Sequence, residues 1–131
     1  MKHISIDPRF VNKTGNDLIP SKIHTILQNY EYWKRFEGKK VALFTWEGKP
    51  YQKGSKQKVF CVKRIMSVQK VVFTNKGPEI LNVWKKPNKG KISSLLLCVN
   101  DGFENYGEFH EWFCKYKSSK MAILHFTGFM Y

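Results

Sequence analysis

The short stretch Lys22-Ile23-His24-Thr25-Ile26 holds the residue types in this chain that are most able to do chemistry. Apolar Ile23 and Ile26 would anchor its backbone in a core. Lys22, His24 and Thr25 would then present an amine, an imidazole and a hydroxyl to a cleft. The alternative is a loop with three solvated polar side chains, because lysine and threonine lie mostly at protein surfaces. The spacing leaves both interpretations open.

A second candidate is the segment 46–57, which combines glycines, aromatic residues and lysines in a predicted hairpin or extended loop. Backbone amides near Gly48 and Gly54 could hold phosphates, while Trp46 or Tyr51 offers a flat face to a base. The alternative is an ordinary turn in which both aromatic rings pack on the core. The lysines that would surround the phosphates are Lys49, Lys53 and Lys56.

The charge of the chain is strongly basic and uneven. It has 23 Lys and Arg against 10 Asp and Glu, a formal charge of +13. Residues 48–100 hold twelve Lys or Arg and one acid, whereas residues 101–111 hold four acids and neither Lys nor Arg. Such a field favours polyanions, and nucleic acid is the predicted partner. A generally basic surface that only keeps the protein soluble is the alternative.

Cysteine and histidine spacing predicts neither a metal site nor a cofactor. Cys61, Cys98 and Cys114 are far apart and odd in number, which indicates buried, reduced thiols in a cytoplasmic protein. The four histidines do not cluster in sequence, and His125 between apolar neighbours is typical of a structural histidine. No apolar leader and no run of about 18 apolar residues is found, so neither export nor membrane spanning is expected.

The elements that would position these residues are mostly short strands in a single domain, residues 1–131. The aromatic stripe after Asn105, a predicted helix cap with Glu108, should be core. The apolar run 95–99 should deliver Asp101 to the end of an element. Strands are predicted at 4–6 (an edge strand), 41–46, 58–73 (covered on both faces, bent at 66–67), 79–84 and 121–126. Short helices are predicted at 28–36 and after residue 105, loops at 11–21 and 85–91, and a turn at 75–78.

Three short motifs follow one another along the chain: residues 22–26, then residues 46–51 with Lys56-Gln57, then Asn100-Asp101-Gly102-Phe103 before a helix. In type and order they resemble the motifs of the ASCH domains, small members of the PUA-like superfamily. The resemblance covers residue 15 to the C-terminus. It implies a mainly β, α+β fold, a PUA-like partly closed β-barrel with short peripheral helices and a cleft. It also implies recognition of nucleic acid or a modified nucleotide, with RNA more expected than DNA.

Some ASCH proteins are amidohydrolases that act on N4-acetylcytidine through a Lys, a Thr and a Glu. Carried over by position, these catalytic roles fall on Lys22, Thr25 and Asp101. Lys22 would accept the Thr25 hydroxyl proton, the alkoxide would attack the acyl carbon, and the carboxylate would pass a proton to the leaving amine. The chain departs from the signature at Leu27, where the family has Arg, and at Asp101, one methylene shorter than Glu.

These departures rank binding above catalysis and leave three hypotheses. The first is a binding module that holds an unstacked base in the cleft and the nucleic-acid backbone on exposed lysines. The second is an N4-acylcytidine amidohydrolase. The third is a small basic protein that binds and modulates an acidic protein partner. The nucleic-acid-binding residues of the first hypothesis are Lys22, His24, Trp46, Lys49, Tyr51, Lys53, Lys56, Lys85, Lys86, Lys89 and Lys91.

Overall fold

A computed structural model describes residues 1–48, 53–74, 77–80, 94–117 and 119–131. These residues form a mixed α+β fold in which most of the regular structure is sheet. The strands are β1 (Lys2–Ser5), β2 (His24–Gln28), β3 (Lys40–Glu47), β4 (Lys56–Arg64), β5 (Ser67–Thr74), β6 (Gly77–Ile80) and β7 (Lys120–His125). The helices are α1 (Tyr30–Lys34), α2 (Ser94–Asn100) and α3 (Tyr106–Cys114), with a 3₁₀ turn at Pro8–Phe10.

The strands form two separate sheets. One has the order β1-β3-β4, with β1 parallel and β4 antiparallel to β3. The other is antiparallel throughout, in the order β2-β7-β5-β6. The described residues therefore contain no closed barrel. The chain passes from the first sheet to the second at residues 65–66, where Ile65 is fully buried, so the predicted strand 58–73 is two strands of different sheets, divided next to the predicted bend.

The core lies between the sheets and the helices. Leu43 of β3, Leu97 of α2, and Ile123 and Leu124 of β7 are fully buried in it. The region 95–99 forms helix α2, with Leu97 and Cys98 inward. At about 25 cal/mol per Å² of apolar surface, such burial is the main stabilising term of a domain this size.

Local sequence signals account for both predicted helices. The side chain of Asn29 accepts a hydrogen bond from the Tyr32 amide and begins α1, and that of Asn105 accepts one from the Glu108 amide and begins α3. The aromatic stripe of α3 is only partly core. Phe109 and Phe113 are buried, but Trp112 is 40% exposed.

Two other expectations were wrong. Strand β4 is not covered on both faces, because Val59 and Val62 are about half exposed. The cysteines are free, but only Cys98 is buried, whereas Cys61 is half-buried and Cys114 is exposed. The predicted strand 79–84 begins within β6, and its last four residues lie outside the described part. So do residues 75–76 of the predicted turn and the whole of the basic loop 85–91.

Candidate functional site

The segment that begins β2 is held between two other parts of the chain. The Ile23 amide donates to the carbonyl of Asn100, and the Ile23 carbonyl accepts from the amide of Phe126. Lys22 forms an isolated antiparallel bridge with Asp101. These contacts bring the end of α2 and the end of β7 onto a stretch that is 79 positions from Asp101 in sequence. Lys22 and Asp101 are therefore neighbours only in the folded chain.

Lys22 and Asp101 form a buried ion pair. Lys22 Nζ donates to Asp101 Oδ1 at 3.0 Å and to the Asp101 carbonyl at 2.8 Å, and each side chain is 3% exposed. The amine also lies 4.4 Å from the centre of the Phe10 ring. A charge taken out of water needs such partners, since its desolvation costs several kcal/mol. The pair fixes the orientation of both side chains.

Gly102 makes room for this pair. Its φ of +89° lies in the left-handed region, which favours glycine. A Cβ atom at this position would lie 2.9 Å from Lys22 Cβ and 3.0 Å from Phe10 Cδ1. Glycine is thus required twice, for the backbone turn after Asp101 and for the close approach of the lysine stem.

His24 is hydrogen-bonded to Asp101. Its Nδ1 lies 3.2 Å from Asp101 Oδ1, and its Nε2 lies 2.6 Å from the Tyr131 hydroxyl, which also accepts from Asn100 Nδ2. Because the carboxylate can only accept, Nδ1 is the donor and Nε2 accepts from Tyr131. Burial lowers the pKa of His24 below its ordinary value, although Asp101 beside it acts in the opposite direction. Burial also raises the pKa of the Tyr131 phenol.

A second layer of polar contacts holds Tyr131 in place. Gln69 Nε2 donates to the main-chain oxygen of Tyr131 at 3.0 Å, and Gln69 Oε1 accepts from the Tyr131 amide at 2.9 Å. The same Oε1 lies 2.8 Å from His125 Nε2. Burial, and then the neighbouring His24, lower the pKa of His125 to about 3. His125 is thus a buried, neutral, structural histidine, as its apolar neighbours predicted.

Thr25 and the ion pair line one cavity of about 80 Å³, here called the inner cavity. Thr25 is 6% exposed, and among the described residues its hydroxyl has no hydrogen-bond partner. Leu27 makes one wall apolar, and aromatic rings make others. The lining residues are Ser5, Ile6, Asp7, Phe10, Lys22, Thr25, Ile26, Leu27, Asp101, Phe103, Trp112 and Phe113.

A wider cavity of about 350 Å³, the outer cavity, adjoins the inner one. Ser5, Ile6, Asp7 and Trp112 line both cavities, and Trp46 lines the outer one. Because they share these four residues, the two cavities are adjacent, and together they are here called the cleft.

An ion pair and a guanidinium–aromatic contact lie beside Trp112, which lines both cavities. Arg9 Nη1 donates to Glu108 Oε2 at 2.6 Å, and the Arg9 guanidinium lies 5.3 Å from the Trp112 ring centre. Asp7, at the join of the two cavities, accepts from the Arg9 amide. Asp7 thus places one carboxylate at both cavities, and the Arg9 side chain lies 3.4 Å from it.

Of the predicted site residues, the structure brings Lys22, Thr25 and Asp101 to the inner cavity and Trp46 to the adjacent outer one. His24 is a correction, since it does not face the cleft. It is fully buried with both ring nitrogens hydrogen-bonded, so it cannot touch a ligand in this arrangement. Lys53 and Lys56 are exposed and line neither cavity. Lys49, Tyr51, Lys85, Lys86, Lys89 and Lys91 lie outside the described residues.

The sequence analysis did not predict the residues that surround the Lys22–Asp101 ion pair. Phe10 packs under the lysine, Tyr131 and Asn100 bond to one another behind it, and Trp112 forms a wall of both cavities. Trp112 had a signal, because it lies at the edge of the apolar stripe of a helix. Asn100 belongs to the third motif of the resemblance, which assigned it no role. Phe10 and Tyr131 had no signal.

Within the part of the chain that the structure describes, no group of three or more His, Cys, Asp or Glu is arranged to hold a metal ion. None of its helices is long and apolar enough to cross a membrane. No protein-family model, curated protein or solved structure matches this chain. Function must therefore be inferred from the site itself.

Proposed function

We propose that this protein binds nucleic acid or a modified nucleotide, RNA or single-stranded in preference, and holds one unstacked base in the cleft. The observation that carries the proposal is that Lys22, Thr25 and Asp101 line one cavity with aromatic walls. An ammonium, a hydroxyl and a carboxylate together offer the donors and acceptors that the edge of a heterocyclic base requires.

The shape of the cleft supports a base rather than a phosphate at its inner end. Phe103 and Trp112 line it with aromatic rings, and Leu27 adds an apolar wall. Asp7 and Asp101 both line this space and would repel a phosphate. The sugar and phosphates would therefore lie toward the exterior, where the net charge of +13 attracts them.

The proposal includes the architecture of the ASCH domains, with a PUA-like partly closed barrel. Two features support it. The acidic residue that follows α2 pairs directly with the lysine that precedes β2, both line one cavity, and the two sheets enclose a common core. The described strands by themselves form two sheets.

The test is the binding of labelled single-stranded RNA, single-stranded DNA and duplex at several salt concentrations. Thr25→Val removes the hydroxyl at nearly constant volume, and Thr45→Val in β3, which lines neither cavity, is the matched control. We expect Thr25→Val to weaken one ligand selectively, by about tenfold for one lost hydrogen bond, and Thr45→Val to have no effect. A charge reversal at Lys85, Lys86 and Lys89 should weaken every ligand.

If no ligand binds at moderate salt, the nucleic-acid function is wrong and an acidic protein partner becomes the better hypothesis. If all ligands bind but Thr25→Val has no effect on any of them, the cleft does not read the base. Circular dichroism of both threonine variants is the control for folding, and their spectra should match that of the wild type.

One observation favours a second candidate, an amidohydrolase of N4-acylated cytidine. The Thr25 hydroxyl is without a partner among the described residues, in the same cavity as Lys22 and Asp101, as a nucleophile would be. However, Lys22 Nζ already donates to Asp101, and no hydrogen bond joins it to Thr25 among the described residues. For Lys22 to act as base, its proton must first pass to Asp101, which would then return it to the leaving amine.

This second candidate is tested by incubating N4-acetylcytidine with the wild type and with Thr25→Val. Release of acetate and cytidine by the wild type alone would establish hydrolysis. Binding of N4-acetylcytidine without its turnover would leave the protein a binding module.

A further inference from the structure

The three-stranded sheet has a second face, opposite its core residues, that is exposed only in part, since Ala42 and Phe44 at its centre are 3% and 4% exposed. Val41 and Leu43 of β3 point inward, so the alternate residues of β3 lie on the opposite face. Ring contacts confirm this grouping, since Phe44 lies 6.1 Å from His3 and 5.4 Å from Trp46. We call this surface the outer sheet face. Its residues are His3, Ser5, Lys40, Ala42, Phe44, Trp46, Gln57, Val59, Val62 and Arg64.

This face exposes apolar side chains on a long strand. Val59 is 46% and Val62 48% exposed, opposite Phe44 and Ala42 in the register. Strand β4 has nine residues and pairs with β3 alone among the described strands. Contiguous apolar residues on an accessible sheet mark an interaction surface more often than isolated ones do.

The charge of this surface selects a polyanion. Lys40 and Arg64 are exposed and lie opposite each other at one end of the face. None of the residues of the face is acidic. A second copy of the chain would bring the same positive charges together, and edge lysines are a common device against such pairing.

The face is continuous with the cleft. Ser5 and Trp46 belong to the outer sheet face and also line the outer cavity. Trp46 therefore stands where a ligand would pass from the exposed sheet into the cavity that holds Thr25. A chain of nucleotides could occupy both places at once, because the two surfaces share residues.

We propose that the outer sheet face binds a single-stranded nucleic acid whose bases stack against Trp46 and the exposed valines, with Lys40 and Arg64 near its phosphates. This inference rests on the proposed function, because it extends the path of the nucleotide held in the cleft. The ligand is single-stranded, since a base in a duplex has no free face for an aromatic side chain. The sheet adds affinity, and the cleft selects the base.

The test compares a nucleoside with a nine-nucleotide single strand and a duplex of the same length, all at one salt concentration. The variants are Val62→Glu and Val62→Lys, which both remove the valine but introduce opposite charges. Val72→Glu, on β5 of the other sheet, is the control for a general loss of positive charge.

We expect the nine-mer to bind at least about tenfold more tightly than the nucleoside and the duplex, as stacking of one or more bases would give. Val62→Glu should weaken the nine-mer by about tenfold and Val62→Lys by much less. Neither variant should alter nucleoside binding, and Val72→Glu should have little effect on any ligand.

Three results would overturn the inference while leaving the proposed function standing: equal affinity for nucleoside and nine-mer, equal affinity for single strand and duplex, or equal effects of the two Val62 variants. A wild-type dimer in sedimentation that both Val62 variants dissociate would assign the face to a second copy and also overturn it. Failure of the proposed function looks different, because then the nucleoside does not bind or is insensitive to Thr25→Val.

Discussion

At the inner cavity, charged side chains are buried and bonded to one another, whereas on the outer sheet face they are exposed around apolar residues. Lys22 and Asp101 are each 3% exposed and share two hydrogen bonds, but Lys40 and Arg64 face solvent. Burial makes a charge costly unless its partner is well oriented, so the inner pair has one geometry and can select a ligand by shape. Exposed charges attract any polyanion and are screened by salt.

The largest expected effect comes from breaking the buried pair. Asp101→Ala leaves Lys22 buried without its carboxylate, and we expect the free energy of unfolding to fall by about 3–5 kcal/mol. The control is Asp17→Ala, which removes a partly exposed pair with Lys63 at 2.8 Å and a hydrogen bond from the Leu18 amide, and should cost about 1–2 kcal/mol. Urea denaturation of the three proteins measures both. Equal losses would mean that burial does not distinguish the two pairs.

A second prediction concerns pH. His125 has a pKa of about 3 in the folded protein, so between pH 6.5 and 3 the unfolded chain binds a proton that the folded chain does not. Stability must then fall as pH falls, by about 1.4 kcal/mol per pH unit from this residue. The lowered pKa of His24 acts in the same direction.

Urea denaturation between pH 7 and pH 5, above the range in which carboxylates titrate, measures this slope. In His125→Asn the free energy of unfolding should depend less steeply on pH, because the contribution of His125 is lost and only that of His24 remains. A stability independent of pH in this window would contradict the burial of neutral histidines beside the cleft.

A third prediction sharpens the role of Gly102. Gly102→Ala combines an unfavourable backbone conformation with a contact of 2.9 Å to Lys22, whereas Gly38→Ala has a similar φ of +84° and no atom within 4 Å. Both should lose about 1 kcal/mol to the backbone. Gly102→Ala should lose about 1–2 kcal/mol more from displaced side chains. Thermal unfolding of both variants gives the cost of the displaced side chains as the difference between their losses. Similar losses would show that Lys22 moves without cost.

The smallest effect is expected on the outer sheet face. Val62→Thr keeps the shape of the side chain at a position that is 48% exposed, so the free energy of unfolding should change by less than about 0.5 kcal/mol. Chemical denaturation checks this against Val71→Thr, a fully buried position in β5 that should lose far more. A large loss at Val62 would show that this face is part of the core and not a binding surface.

Part of the candidate site could be read from the sequence. The resemblance placed Lys22, Thr25 and Asp101 together, and all three line the inner cavity. The resemblance did not predict the orientation of His24. Side chains alternate along β2, so His24 points to the side opposite Thr25, where it is hydrogen-bonded to Tyr131, which also accepts from Asn100. Trp46 was predicted with two alternatives, and the structure puts it on the cleft, half-buried.

The sequence by itself determined the local elements, because caps and apolar periodicity act over a few residues. Asn29 and Asn105 begin their helices, and β3 and β7 follow their apolar runs. Only the tertiary structure decided which side chains face each other. The Lys22 and Asp101 pair joins residues 79 positions apart, and the exposure of β4 depends on which strands pair with it. Such contacts form when distant segments share one core, and no local pattern encodes that geometry.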